Sequence, residues 1–99
     1  MAKLDLQVQK QASAGVKFPA TVSIDSGPPG AVVTVTLEQP RAPPPRYSDT
    51  RETMLDVNGA GNVPFDVILN GKGFKTLLAH ATDGDVTFYR PDAETVQVL

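Results

Sequence analysis

Short segments of strict apolar–polar alternation, cut by glycine, proline or Asn-Gly, run through this chain from end to end. A period of two sends successive side chains to opposite faces of an extended backbone, so each segment reads as a strand with one buried face. Leu4, Leu6 and Val8 alternate with Asp5, Gln7 and Gln9, giving a strand over about residues 3–9. The small, polar stretch 11–15 breaks the pattern, and Phe18, Ala20, Val22 and Ile24 then share a face through residues 16–25. Pro19 has no amide proton for a ladder, so it belongs at an edge or bulge near the start of that strand.

Gly27-Pro28-Pro29-Gly30 is the strongest turn signal. Val33, Val35 and Leu37 follow on one face, with Thr34, Thr36 and Glu38 on the other. Pro40-Arg41-Ala42-Pro43-Pro44-Pro45-Arg46 ends that strand, its prolines favouring an extended loop without ladder bonds. Residues 50–57 read as a strand carrying Met54 and Leu55, with no clear face. Asn58-Gly59-Ala60-Gly61 is a turn, Val63, Phe65, Val67 and Leu69 alternate, and Asn70-Gly71-Lys72-Gly73 turns again. Leu77, Ala79 and Ala81 point inward, leaving Thr76, Leu78 and His80 outward. After Asp83-Gly84-Asp85, Val86 and Phe88 begin a last strand that is interrupted at Arg90-Pro91-Asp92 and resumes at Val96-Gln97-Val98.

No segment sustains a helical period, so the fold class is all-β. About seven antiparallel strands within 99 residues predict a single domain, 1–99, built as a Greek-key β-sandwich. Its inner faces carry Leu6, Val8, Val22, Ile24, Val33, Val35, Phe65, Val67, Leu77 and Ala79. A chain of this length buries roughly 60–68% of its unfolded surface, enough for a core without covalent staples.

Composition removes several functions. The absence of cysteine excludes disulfides and thiolate metal sites. A net charge of −2, with lysines and arginines scattered among acids, offers no basic field for nucleic acid. No apolar run approaches the roughly 18 residues of a membrane span. Residues 1–6 enter a strand directly, without an apolar leader. That fits either a cytoplasmically made protein or a piece of a larger secreted one.

Three successive stretches carry a family likeness: Leu55-Asp56-Val57-Asn58-Gly59-Ala60-Gly61, then Val63-Pro64-Phe65-Asp66-Val67, then Gly73-Phe74-Lys75-Thr76-Leu77-Leu78-Ala79-His80-Ala81. The chain from about Phe18 to Val98 resembles bacterial and phage immunoglobulin-like repeats of the Big type. There an Asp-x-Asn-Gly turn leads to a strand, followed by a Gly-led strand ending in Leu-x-Ala-x-Ala. The antibody-type Trp and Cys pair are absent, and Phe74 stands where a corner tyrosine would be expected. The resemblance implies an immunoglobulin-like sandwich serving as adhesion module, spacer or capsid or tail decoration, located extracellularly, at the cell surface or on a virion. It transfers no active site.

Candidate sites are few. Pro44-Pro45-Arg46-Tyr47 matches the Pro-Pro-x-Tyr pattern bound by WW domains, although a rigid solvated inter-strand loop is the reading favoured over a WW partner. His80 is the single histidine; catalysis there needs a carboxylate or hydroxyl within reach, whereas a half-buried strand position needs nothing more. Asp83 and Asp85, joined by Asp25 or Asp92, are candidate calcium ligands if the loops gather, though a plain turn accounts for the triplet. Tyr47, Tyr89 and Phe74 are the only aromatics placed for sugar stacking. The expectation is therefore a non-enzymatic module without cofactor or metal, binding a protein partner or neighbouring domains through Arg41, Pro44, Arg46 and Tyr47. A carbohydrate-binding or accessory module of a polysaccharide-active enzyme, meeting surface polysaccharide, is the alternative.

Overall fold

The computed structural model describes residues 3–40, 46–84, 88–89 and 93–99. Those residues form nine strand segments and no helix. In chain order they are β1 (Lys3–Val8), β2 (Gln11–Ala12), β3 (Phe18–Asp25), β4 (Val32–Glu38), β5 (Ser48–Met54), β6 (Gly61–Val67), β7 (Gly73–Thr82), β8 (Phe88–Tyr89) and β9 (Glu94–Val98). They assort into two sheets. One has the order β1-β3-β6; the other has the order β2-β9-β7-β4-β5, with β8 on β7 beyond the end of the β9 ladder.

Both sheets turn one face inward, and a single apolar cluster joins them. Leu4, Leu6, Ala20, Val22, Ile24, Val63, Phe65 and Val67 come from the first sheet. Val33, Val35, Leu37, Leu77, Ala79, Ala81, Val96 and Val98 come from the second. Ala79 and Ala81 lie opposite Leu37 and Val35, small against large, so β4 and β7 pack without crowding. Burying each large aliphatic stabilises by about 1.5–3 kcal/mol. The alternation expected for these strands is the one observed, giving a sandwich-like, two-layered all-β fold.

Two expectations need correction. The pairings are not all antiparallel: Gln11 and Ala12, read as part of a break, pair in parallel with Gln97 and Val98. The chain leaves the first sheet after Val8 and joins the second, where the Gln97 amide donates to Lys10 O and the Leu99 amide to Ala12 O, at 2.8 and 2.9 Å. A two-residue ladder whose partner lies at the far end of the chain leaves no local period to read. The second correction concerns the ambiguous strand, which ends at Met54. Leu55 is 2% exposed whereas Met54 is 69% exposed. β5 has no buried face of its own, but its inward parity, Asp49, Arg51 and Thr53 opposite Leu37, Val35 and Val33, passes to Leu55, whose amide continues the ladder to Ala31 O at 2.8 Å.

The β6 edge of the first sheet is protected from the β5 side. Pro64 lacks an amide proton, and its carbonyl, facing away from β3, accepts a 2.7 Å bond from Arg51 Nη1 on β5. The Arg51 guanidinium also lies 5.3 Å from the centre of the buried Phe65 ring and contacts Asp49 Oδ2 at 3.4 Å. One side chain thus spans the opening between the sheets and occupies an acceptor that another strand would need. Alternation along β6 also explains Pro19. Its nitrogen faces the β1 side of β3, one residue beyond the last β1 pair, Val8 with Ala20.

At the end carrying Lys3, two turns meet backbone to backbone. Gly27 N–H donates to Gly59 O at 2.9 Å, and a Cβ on Gly59 would fall 2.0 Å from Gly27 O. Gly59 also has φ +75°, so its residue type is set twice over.

Candidate binding surface

The expected contact loop begins and ends on a pair of polar residues. One step beyond the Glu38–Ser48 pair, Gln39 N–H donates to Tyr47 O at 3.0 Å, and Tyr47 N–H donates to Gln39 Oε1 at 2.9 Å. Gln39 is only 7% exposed, a burial its amide tolerates because the side-chain oxygen is paired with backbone. The loop therefore starts from fixed points.

Tyr47 is half-buried and packs against the core rather than projecting. Its hydroxyl is buried and has no hydrogen-bond partner among the described residues. Burial first, then the charge of Asp49, push its pKa up to about 12, against an opposing effect of Arg51. Arg46 is exposed. Arg41 and Pro44 lie outside the described residues, as does Pro45 of the Pro-Pro-x-Tyr match.

The outer face of the second sheet is where side chains gather. Register places Phe74 opposite Gln97, Thr76 opposite Thr95, Leu78 opposite Glu38 and His80 opposite Thr36. Thr36 and Thr50 hydroxyls bond at 3.1 Å, and Gln11 Nε2 donates to Gln97 Oε1 at 3.2 Å. Phe74 is 75% exposed, and it forms a wall shared by two shallow grooves. One, of about 590 Å³, runs past Gln39, Pro40, Thr76 and Leu78; the other, of about 560 Å³, runs past Gln11, Thr95 and Gln97. The grooves thus border an aromatic face flanked by amides and hydroxyls.

His80 Nε2 lies 3.7 Å from Glu38 Oε1, an ion-pair rather than a hydrogen-bond separation, with both side chains partly exposed. This pair sits on open sheet and lines neither groove. Asp83 follows β7, where the Gly84 amide donates to Thr82 Oγ1 at 3.3 Å. Asp85 and Asp92 lie outside the described residues, among which no three His, Cys, Asp or Glu side chains gather to hold a metal ion. Asp56 is a turn-former: its Oδ1 accepts Ala60 N and Asn58 N at 3.0 and 2.8 Å, which holds its carboxyl below the usual range.

Sequence reasoning placed Phe74 only at the margin of a sugar site, and the signal was parity. Phe74 shares the outward register of Thr76, Leu78 and His80, so its exposure follows from the inward placement of Leu77 and Ala79. No protein-family model matches the chain, and comparison with curated proteins returns no match. No helix among the described residues is long and apolar enough to cross a membrane.

Proposed function

We propose that the chain is a non-enzymatic immunoglobulin-like module of a bacterial surface or phage virion protein, acting as a rigid spacer or as a support for binding loops. The observation that carries the reading is the placement of the two ends of the described chain. Lys3 pairs with Asp25 beside the Gly27 turn, whereas Leu99 bonds to Ala12 and lines a hollow with Phe18, at the other end of β3. The body between measures 41 × 21 × 19 Å. Such a unit transmits position along its long axis, and copies joined end to end extend rather than fold back. The strand order supports the immunoglobulin-like Greek key: β1, β3 and β6 correspond to strands A, B and E, and β4, β7 and β9 to C, F and G. Function in this class resides on what the sandwich holds, not in the sandwich.

Tandem repeats of the chain test the spacer reading by small-angle scattering. The maximum dimension should grow by nearly the 41 Å long axis per added copy. Growth by less than half of that rejects it. For the loop reading, replacing Arg41, Pro44, Arg46 and Tyr47 together should abolish capture of an identified partner; unchanged capture removes that surface.

The exposed Phe74 favours a second reading, a polysaccharide-binding accessory module using the outer face of β7 and β9. Electrophoresis through gels containing soluble polysaccharides is the check. Retardation that Phe74→Ala abolishes supports it, and identical migration in every gel excludes it.

A further inference from the structure

We infer that Asn70 is a site of spontaneous deamidation and isoaspartate formation, and that the other Asn-Gly pair in the chain, Asn58-Gly59, is protected. The reaction requires the backbone nitrogen of the following residue to lose its proton and attack the asparagine Cγ. A five-membered succinimide forms as ammonia leaves. Water then opens the ring. Breaking the bond from the glycine nitrogen to Cγ leaves aspartate; breaking its bond to the backbone carbonyl carbon leaves isoaspartate, with the chain rerouted through the side chain. Water is consumed and ammonia released, and no other reagent takes part. Glycine at the second position leaves the attacking nitrogen unshielded, so both pairs are chemically eligible.

The fold separates them. The Gly59 N–H is committed to Asp56 O at 3.0 Å, and the Asn58 N–H to the Asp56 carboxylate at 2.8 Å. The resulting negative surroundings oppose a deprotonated amide at Gly59. Gly59 is also buried and wedged against the Gly27 backbone, so the turn cannot reshape into a ring. Asn70, Gly71 and Lys72 are all exposed, and no hydrogen bond among the described residues holds the Gly71 N–H. A cation stands beside it instead. Lys75 has the inward parity of Leu77, at the mouth of the sandwich, and its Nζ lies 3.5 Å from the point a Cβ on Gly71 would occupy. A positive charge there stabilises the anionic nitrogen and the oxyanion that its attack creates. The modification adds a negative charge at the end of the molecule that carries Leu99, since Leu69, next to Asn70, accepts the Gly15 amide there.

Ageing the folded protein in mildly alkaline buffer and mapping its peptides by fragment-ion mass spectrometry tests the inference. Both sites fall in one tryptic peptide, Glu52 to Lys72, so they are compared within one molecule. Conversion at Asn70 should exceed that at Asn58 by at least tenfold. The same peptide, excised and aged alone, should convert at both sites at similar rates. Lys75→Gln should slow Asn70 conversion severalfold without affecting Asn58, with the variant's melting curve confirming its fold. Comparable rates at the two sites in the folded protein, or faster conversion at Asn58, overturn the proposal. An unchanged Asn70 rate in the Lys75 variant overturns the role given to the lysine.

Discussion

Gly59→Ala should be the most costly single-methyl change in the turns, and Gly30→Ala its matched control. Both glycines have positive φ, +75° and +72°. Forcing alanine into that region costs about 1–2 kcal/mol at either site. At Gly30 nothing lies within 4 Å of the new Cβ, so the conformational cost is the whole effect. At Gly59 the Cβ would fall 2.0 Å from Gly27 O and 2.8 Å from Gly27 C and N. Ordinary carbon–oxygen contact is about 3.3 Å or more, so the two turns must part by roughly 1.3 Å. That breaks the Gly27 N–H to Gly59 O bond, worth about 0.5–1.5 kcal/mol net and more where a buried group is left unpaired. With a buried group left unpaired, which costs about 1–3 kcal/mol, the total for Gly59→Ala is about 2–5 kcal/mol, a large part of the roughly 5–15 kcal/mol expected for a domain. Effects of the extra methyl on the unfolded chain are common to both variants and cancel. Urea unfolding followed by circular dichroism measures the difference, read from midpoints at constant m-value. A separation of less than about 1 kcal/mol between the two variants would refute the backbone contact as the source of the cost.

Tyr47→Phe removes a buried hydroxyl that lacks a partner, so stability should hold or rise by up to about 1 kcal/mol; a loss of 2 kcal/mol or more in urea would mean that the hydroxyl is paired. Because folding raises the Tyr47 pKa from 10.0 to about 12, its contribution is intact below pH 10 and is lost as pH rises toward 12. The alkaline fall in melting temperature should therefore shrink in the phenylalanine variant, and an identical fall in both would sink this attribution. Asp56 has the opposite sign. Its depressed folded pKa gives stability present above the unfolded carboxylate value and lost as pH falls through the folded one, so Asp56→Ala should flatten the acid side of the stability profile. Leu77→Asp, which puts a charge at a fully buried position, should leave no cooperative melt; a folded variant would contradict the assigned core.

Much of the sandwich was legible because each strand with a buried face announces it by alternation. Val22, Val35, Val67 and Leu77 needed no partner to be placed inward. The opposite was true where burial depends on residues remote in sequence. β5 packs neither face well, so Met54 and Leu55 could not be told apart until pairing with β4 set Thr53 opposite buried Val33 and Met54 opposite exposed Val32. Gln11 and Ala12 form a strand only because β9 is there to receive them. Among the candidate contacts, the proline-rich run ending in Tyr47 reads as a rigid solvated loop. The ring instead packs against the core, a placement that cross-sheet packing decides and local composition does not encode. Phe74 was legible by contrast: its parity with Thr76, Leu78 and His80 sets it outside, where it is exposed.

The paired bonds between Gln39 and Tyr47 bear on how such a protein can change. They fix the spacing and register of β4 and β5 at both ends of the 40–46 stretch. Its sequence and length can drift under selection, or be exchanged by design, with little penalty passed to the core. The stretch is thus a place where the clamps let a new specificity be acquired.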